Sequence, residues 1–149
     1  MRVSARAIVI KNDEFLVMDR DKFGQKYLTL IGGGVEPGEQ PVEAVIREVK
    51  EETTLSVNNP RLVVIEDAGD VFGIHYIYLC DYKGGKVKLA PDSTEFEINK
   101  LGKNMYAPKW IKISDLEESN FLPKQLKYVI LEFIQSGFPD QPIKITAKD

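Results

Sequence analysis

The stretch from Gly33 to Leu55 reads GGVEPGEQPVEAVIREVKEETTL, a glycine-rich turn that runs straight into a helix ending in glutamates. Gly32, Gly33 and Gly34 permit positive φ and close backbone approach, and Pro37-Gly38 makes a second turn. Gln40 and Pro41 suit the first helical positions, and Glu36 and Glu39 lie near the helix start, where negative charge is favoured. At about 100° per residue, Val42, Val45, Ile46 and Val49 form one stripe, read as the buried face of a helix over residues 41–53. Glu48, Glu51 and Glu52 form a neighbouring stripe on which all three carboxylates converge.

That stripe works against itself. Like charges three and four residues apart cost roughly 0.2–0.5 kcal/mol per pair. They also occupy the last turns of the helix, where the dipole disfavours anions. A bound Mg²⁺ or Mn²⁺ would remove both penalties, because hard cations take carboxylate oxygens. Arg47 is spaced four residues from both Glu43 and Glu51, so a pairing ladder is expected that holds Glu51 in place. The plain alternative is a solvated acidic helix face, common on helices. The glycine turn argues for the metal, since it brings exposed backbone beside the carboxylates.

These residues resemble the Nudix box of the Nudix hydrolases, G-x5-E-x7-R-E-U-x-E-E-x-G-U with U a bulky aliphatic. Gly33, Glu39, Arg47, Glu48, Val49, Glu51, Glu52 and Leu55 match; Thr54 stands where the family has its last glycine. A β-branched residue dislikes the left-handed conformation that a glycine there would adopt, so either the helix ends by another route or the turn is strained. The resemblance implies a Nudix-like α/β/α sandwich with a mixed β-sheet. It implies cleavage of a nucleoside diphosphate linked to another moiety, with Mg²⁺ or Mn²⁺. Glu48, Glu51 and Glu52 would be the metal ligands, with the Gly32 carbonyl a further one, and Arg47 would orient a glutamate. Gly33 and Gly34 would lie along the substrate.

The general base stays open. Many family members supply a glutamate shortly before the strand that carries the tryptophan, yet residues 104–109 before Trp110 hold no carboxylate. Glu95 is the preferred outside residue; otherwise Glu48 or Glu52 activates the water. Arg6 and Arg20 are candidates for phosphate contact, and Phe72, Tyr76, Tyr106 and Trp110 for stacking on a base. His75, the one histidine, is read as structural. The proline and tyrosine marks of two Nudix subfamilies are missing from the Gly69–Phe72 region, so the substrate stays open among nucleoside triphosphates, nucleotide sugars and similar compounds. A catalytically weak nucleotide-binding or sensor module, and a structural domain with a merely acidic helix, are the competing readings.

Composition bounds the rest. A chain of 149 residues suits one domain. A net charge of −3 does not suggest nucleic-acid binding, and the expected partner is a small nucleoside diphosphate derivative. One cysteine, Cys80, sits in an apolar run and reads as a buried strand thiol. No apolar stretch is long enough to span a bilayer, and no leader-like segment is seen, so a cytoplasmic enzyme is expected.

Along the chain, strands are predicted at Val3–Ile10, Phe15–Met18, Tyr27–Ile31, Leu62–Ile65, Ile74–Tyr82, Val87–Leu89 and Lys109–Ile113. Loops are expected over 19–26 and 90–107, a capping box at Ser114–Glu117, a helix over Gln125–Gln135 stopped by Gly137, and a tail over 138–149. Strand edges and the 90–107 loop are candidate surfaces for a homodimer.

Overall fold

Side chains alternate along β1 (Val3–Lys11): Ala5, Ala7 and Val9 face one way, Ile8 and Ile10 the other, and each set joins a different apolar cluster. A strand buried on both faces belongs inside a sheet covered on both sides. The computed structural model, which describes residues 2–89 and 93–146, has that arrangement.

Asn12, at φ 57°, turns the chain back from β1 into β2 (Glu14–Lys22). The two strands pair only at Ile10–Phe15 and Lys11–Glu14, and then β2 leaves. It takes β3 (Gln25–Thr29) on one side and β7 (Asn104–Lys112) on the other. The vacated edge of β1 is filled by β4 (Ile31–Gly34), antiparallel. The opposite edge pairs in parallel with β6 (Ile74–Gly84), followed by antiparallel β5 (Ser56–Asp67) and parallel β8 (Ile143–Thr146). The sheet is therefore mixed, with eight strands among the described residues.

Helix α1 (Pro41–Thr53) covers one face through Ala44, Val45 and Val49. Helix α5 (Lys124–Ser136) contributes Leu126, Ile130 and Phe133 to the cluster on the other, where Phe15 and Phe121 meet edge to face at 6.3 Å. Each such side chain contributes roughly 1.5–3 kcal/mol on burial. Short helices α2 (Gly69–Phe72), α3 (Thr94–Asn99) and α4 (Ile113–Leu116) fill connections. The expected α/β/α layering and mixed sheet are both present.

Several local expectations change. The charged 19–26 segment is the end of β2 and the start of β3 around a turn at Phe23-Gly24, and Arg20 lies between Tyr27 and Tyr106 on the two strands flanking β2. Tyr27–Ile31 is split at Leu30, where the chain passes from β3 to β4. Val87–Leu89 is not a strand, although Val87 and Leu89 pack on the α1-side core. The 90–107 segment holds α3 and the start of β7, joined by Asn99, whose side-chain amide donates to the Tyr106 carbonyl at 2.7 Å; residues 90–92 lie outside the described residues. The predicted capping box at Ser114 does not form, since α4 begins at Ile113 with Lys112 before it. Residues 143–146 of the expected tail are β8, with Ile143 and Ile145 packed on the α5-side core; residues 147–149 are outside the description.

The buried stripe of α1 also shifts. Val42 and Ile46 are each 39% exposed, whereas Ala44 and Glu52 lie inward with Val45 and Val49. Relative to the predicted stripe the helix is rolled so that its Ala44 and Glu52 side faces inward, with Glu52 reaching the Gly32 N–H of β4. The roll carries a glutamate into the interior.

Candidate active site

The ladder between β4 and β1 explains how the glycines face the helix. Pairs in an antiparallel ladder alternate between hydrogen-bonded and outward-turned. Val35 N–H donates to the Val3 carbonyl at 2.9 Å, so Gly33–Ala5 continues the bonded set, and Gly32 and Gly34 turn their peptide groups away from β1. The Gly32 N–H donates to Glu52 Oε1 at 3.1 Å, and the Gly34 carbonyl accepts from Arg47 Nη2 at 3.1 Å. Side chains are excluded here by contact. A Cβ on Gly32 would lie 2.2 Å from the Ala5 carbonyl oxygen, and one on Gly33 would lie 2.8 Å from the Glu48 carboxylate.

Arg47 organises the acids. Its Nε and Nη2 grip both oxygens of Glu39 at 2.8 and 3.0 Å. Its Nη1 donates to Glu48 Oε1 at 3.1 Å and Glu51 Oε2 at 3.0 Å. The expected pairing with Glu51 forms, but the one with Glu43 does not. Glu43 instead accepts from the Gln40 backbone N–H at 2.9 Å, closing the helix start, and Glu39 takes its place on Arg47. Hydrogen bonding to Arg47, then to the Glu36 N–H, holds the Glu39 carboxyl down at about 2, and the Glu39 contact in turn raises Arg47 above its ordinary value.

Glu52 is 4% exposed. Burial pushes its carboxyl well above the usual carboxylate range, Glu48 and Glu95 add to the rise, and Arg6 and the Gly32 N–H oppose it. Glu48 is raised by burial against the pull of Arg47, with Glu51 and Glu95 adding. Glu95, on α3, thus lies close enough for its charge to act on both. Among the described residues no three acidic, histidine or cysteine side chains are already gathered as a metal cage. The carboxylates are divided between Arg47, which takes Glu48 and Glu51, and the Gly32 N–H, which takes Glu52. The donor set itself, carboxylates beside outward-turned peptide groups, is all oxygen and suits a hard cation.

The helix end departs from a glycine stop as its sequence required. Thr54 caps α1 at φ 61° and ψ 4°, the left-handed region. Its Oγ1 donates to the Lys86 carbonyl at 2.7 Å, and Thr53 Oγ1 accepts from the Leu55 N–H at 3.1 Å. Leu55 is fully buried.

Beyond the glycines, on the α5 side of the sheet, lies a cavity of about 380 Å³. Arg6 and Arg20 both line it. Arg6 runs past Gly32, and burial lowers its pKa while Glu52, Glu66 and Glu48 oppose the fall, so it stands between the helix carboxylates and Glu66. Arg20 donates to Asn104 Oδ1 and to the Met105 carbonyl, and lies 3.7 Å over the Tyr106 ring. Of the aromatic candidates, Phe72 lines the cavity, whereas Tyr76 and Trp110 pack on the α1-side core. Cys80 is buried, with its thiol pushed up to about 12 chiefly by that burial. The sequence reading missed Glu66 and gave His75 only a structural place. They face each other across β5 and β6, with His75 Nδ1 3.0 Å from Glu66 Oε1, and both line the cavity. A glutamate directly after the apolar run Leu62–Ile65 was the one available signal.

A family model described as the NUDIX domain matches residues 1–132. The chain is 33% identical over 111 residues to the ADP-ribose pyrophosphatase of Methanocaldococcus jannaschii, covering 68% of this chain and 64% of that protein. It is 26% identical over 117 residues to an NAD-capped RNA hydrolase NudC of Pseudomonas putida, covering 77% of this chain but only 38% of the relative's length. Its fold is similar to that of a NUDIX hydrolase from Nitrosomonas europaea, with a TM-score of 0.75 at 13% identity over 99% of this chain and 79% of that one.

Proposed function

The chain belongs to the NUDIX family, and from that premise we propose that it is a divalent-metal-dependent pyrophosphohydrolase acting on a nucleoside diphosphate linked to a further group. The observation that carries this reading is the inward placement of Glu48 and Glu52 beside the glycine strand, where burial raises both carboxyls and the Glu48 charge adds to the rise at Glu52. A protein that buries two like charges together forgoes stability unless a cation joins them.

Glu48, Glu51 and Glu52, with the Gly32 carbonyl, would hold Mg²⁺ or Mn²⁺. When bound, such an ion neutralises pyrophosphate charge and lowers the pKa of a coordinated water. The chain's own residues do the rest. Arg47 fixes Glu48 and Glu51, while Gly33 and Gly34 let the diphosphate approach the backbone. Arg6 and Arg20 offer positive charge at the cavity side. Water attacks phosphorus, the anhydride P–O bond breaks, and a carboxylate takes the water's proton. Glu95 is suited to that role because its charge already reaches Glu48 and Glu52; Glu48 and Glu52 are the alternatives. Positioning and charge neutralisation supply most of the rate in such transfers.

The names of the two relatives both specify compounds containing adenosine diphosphate, so ADP-ribose and NAD head the substrate panel. The test is turnover of a nucleotide panel with saturating Mg²⁺ or Mn²⁺ and identification of the products. Metal-dependent release of a nucleoside monophosphate, lost in Glu52→Gln, is expected. Intact ligand after prolonged incubation with either metal would overturn the hydrolase reading in favour of a binding module.

A further inference from the structure

Glu66, a residue of the cavity wall, carries a buried polar atom without a partner. Glu66 is 1% exposed, and its Oε1 is engaged by His75 Nδ1 at 3.0 Å. Its Oε2 is buried with no hydrogen bond. An unpaired buried acceptor is destabilising, more so when charged, and native structures rarely leave one without a reason. Here the reason is at hand, because Glu66 borders open space of about 380 Å³, within the size range of small-ligand pockets. The ligand group that fits must donate a hydrogen.

The rest of the lining narrows the choice. Tyr27 and Phe72 offer aromatic faces, and Leu30 and Leu126 are apolar. Arg6 lies between this cavity and the glutamates of α1, so a diphosphate beside Arg6 would leave its attached base on the Glu66 side. A flat group with apolar faces and an N–H edge matches these walls.

We propose that Glu66 determines specificity by reading the nucleobase: its free Oε2 accepts an N–H from an amino-bearing base, and His75 is the positioning residue that holds the carboxylate. The proposal rests on the nucleotide-hydrolase reading for the kind of ligand, but not on turnover. Equal contacts to ribose hydroxyls would give no base preference, which sets the test.

His75 is the one histidine of the chain, so its ring resonances report on this site without assignment ambiguity. Adenosine, guanosine and cytidine 5′-monophosphates are titrated in metal-free buffer, with purine riboside 5′-monophosphate, which lacks any base N–H donor, as the comparison. At least one amino-bearing nucleotide should bind about tenfold or more tightly than purine riboside 5′-monophosphate, as loss of a hydrogen bond to a charged group predicts, and should shift the His75 ring signals. In Glu66→Gln and Glu66→Leu the ratio should fall toward one. Equal affinities in the unaltered protein, absence of binding by all four, or an unchanged ratio in folded variants would overturn the proposal. The titration of the unaltered protein decides the matter even if both variants fail to fold. Discrimination without turnover would sink the hydrolase reading alone; turnover without discrimination would sink this one alone.

Discussion

Glu39 and Arg47 form a two-pronged ion pair, Oε2 to Nε at 2.8 Å and Oε1 to Nη2 at 3.0 Å, that ties the turn before α1 to the middle of the helix. The same guanidinium reaches Glu48, Glu51 and the Gly34 carbonyl. One side chain therefore sets the spacing of two glutamates against the glycine strand. A lysine, with a single nitrogen, lacks the fork needed to do this.

Acid stability follows from that pair. The Glu39 carboxyl is held at about 2 in the folded protein, chiefly by Arg47, against an ordinary value of 4.5. A depressed carboxylate contributes stability that is fully present above its unfolded pKa and is lost as pH falls toward the folded one. Thermal unfolding of the parent and Glu39→Gln proteins across pH should show a constant gap above about pH 5 that closes as pH falls toward about 2. A gap independent of pH would contradict the assignment.

Glu52→Gln should separate stability from activity. Burial and the Glu48 charge raise the Glu52 carboxyl, so its ionised form costs stability at neutral pH. The metal-free variant should melt about 3 °C higher than the parent, and the difference should widen as pH rises above the ordinary carboxylate range. Turnover should fall at least about 100-fold, as expected when a metal-bearing carboxylate is lost. Added Mg²⁺ should raise the melting temperature of the parent and leave the variant nearly unchanged. Calorimetry with and without metal checks both.

The adjacent glycines should fail differently. Alanine at Gly32 meets backbone, the Ala5 carbonyl at 2.2 Å, which can move only by breaking the β4–β1 ladder. Gly32→Ala should cost at least about 3 kcal/mol or prevent folding. Alanine at Gly33 meets the Glu48 carboxylate, which can swing aside. Gly33→Ala should keep its melting temperature within about 3 °C yet lose about tenfold or more in turnover. Equal loss of stability in the two would refute the distinction.

Thr54 offers a balance of opposed terms. The left-handed conformation costs a non-glycine residue roughly 1–2 kcal/mol, and the bond from Oγ1 to the Lys86 carbonyl returns roughly 0.5–1.5. Thr54→Val keeps the strain and loses the bond, so it should destabilise by about 1 kcal/mol. Thr54→Gly loses both but adds about 0.4–1 kcal/mol of unfolded-chain entropy, leaving a change within about 0.5 kcal/mol. Denaturant midpoints of the two variants, read with unchanged slopes, test the ordering.

The acidic face of α1, its start at Pro41 and its strained stop at Thr54 are legible along the chain, because helical spacing and turn chemistry act within a few residues. The roll of that helix is not. Glu52 lies inward because Gly32 offers a backbone N–H across the sheet, and hydrophobic periodicity alone favoured Val42 and Ile46. Arg20 escaped as a loop residue because its stabilising partners, Tyr27 and Tyr106, lie on two other strands. Residues 143–146 lack a local signal because a short parallel edge strand exists only where β5 supplies its ladder. The glycines and glutamates proposed to hold the metal thus belong to one continuous segment whose geometry is local. The residues proposed for recognition, Arg6, Arg20, Glu66 and His75, come from four strands. Only the parallel pairing of β1 with β6 and the departure of β2 from β1 bring those side chains to one cavity, and strand register at that distance leaves no periodic trace in the chain.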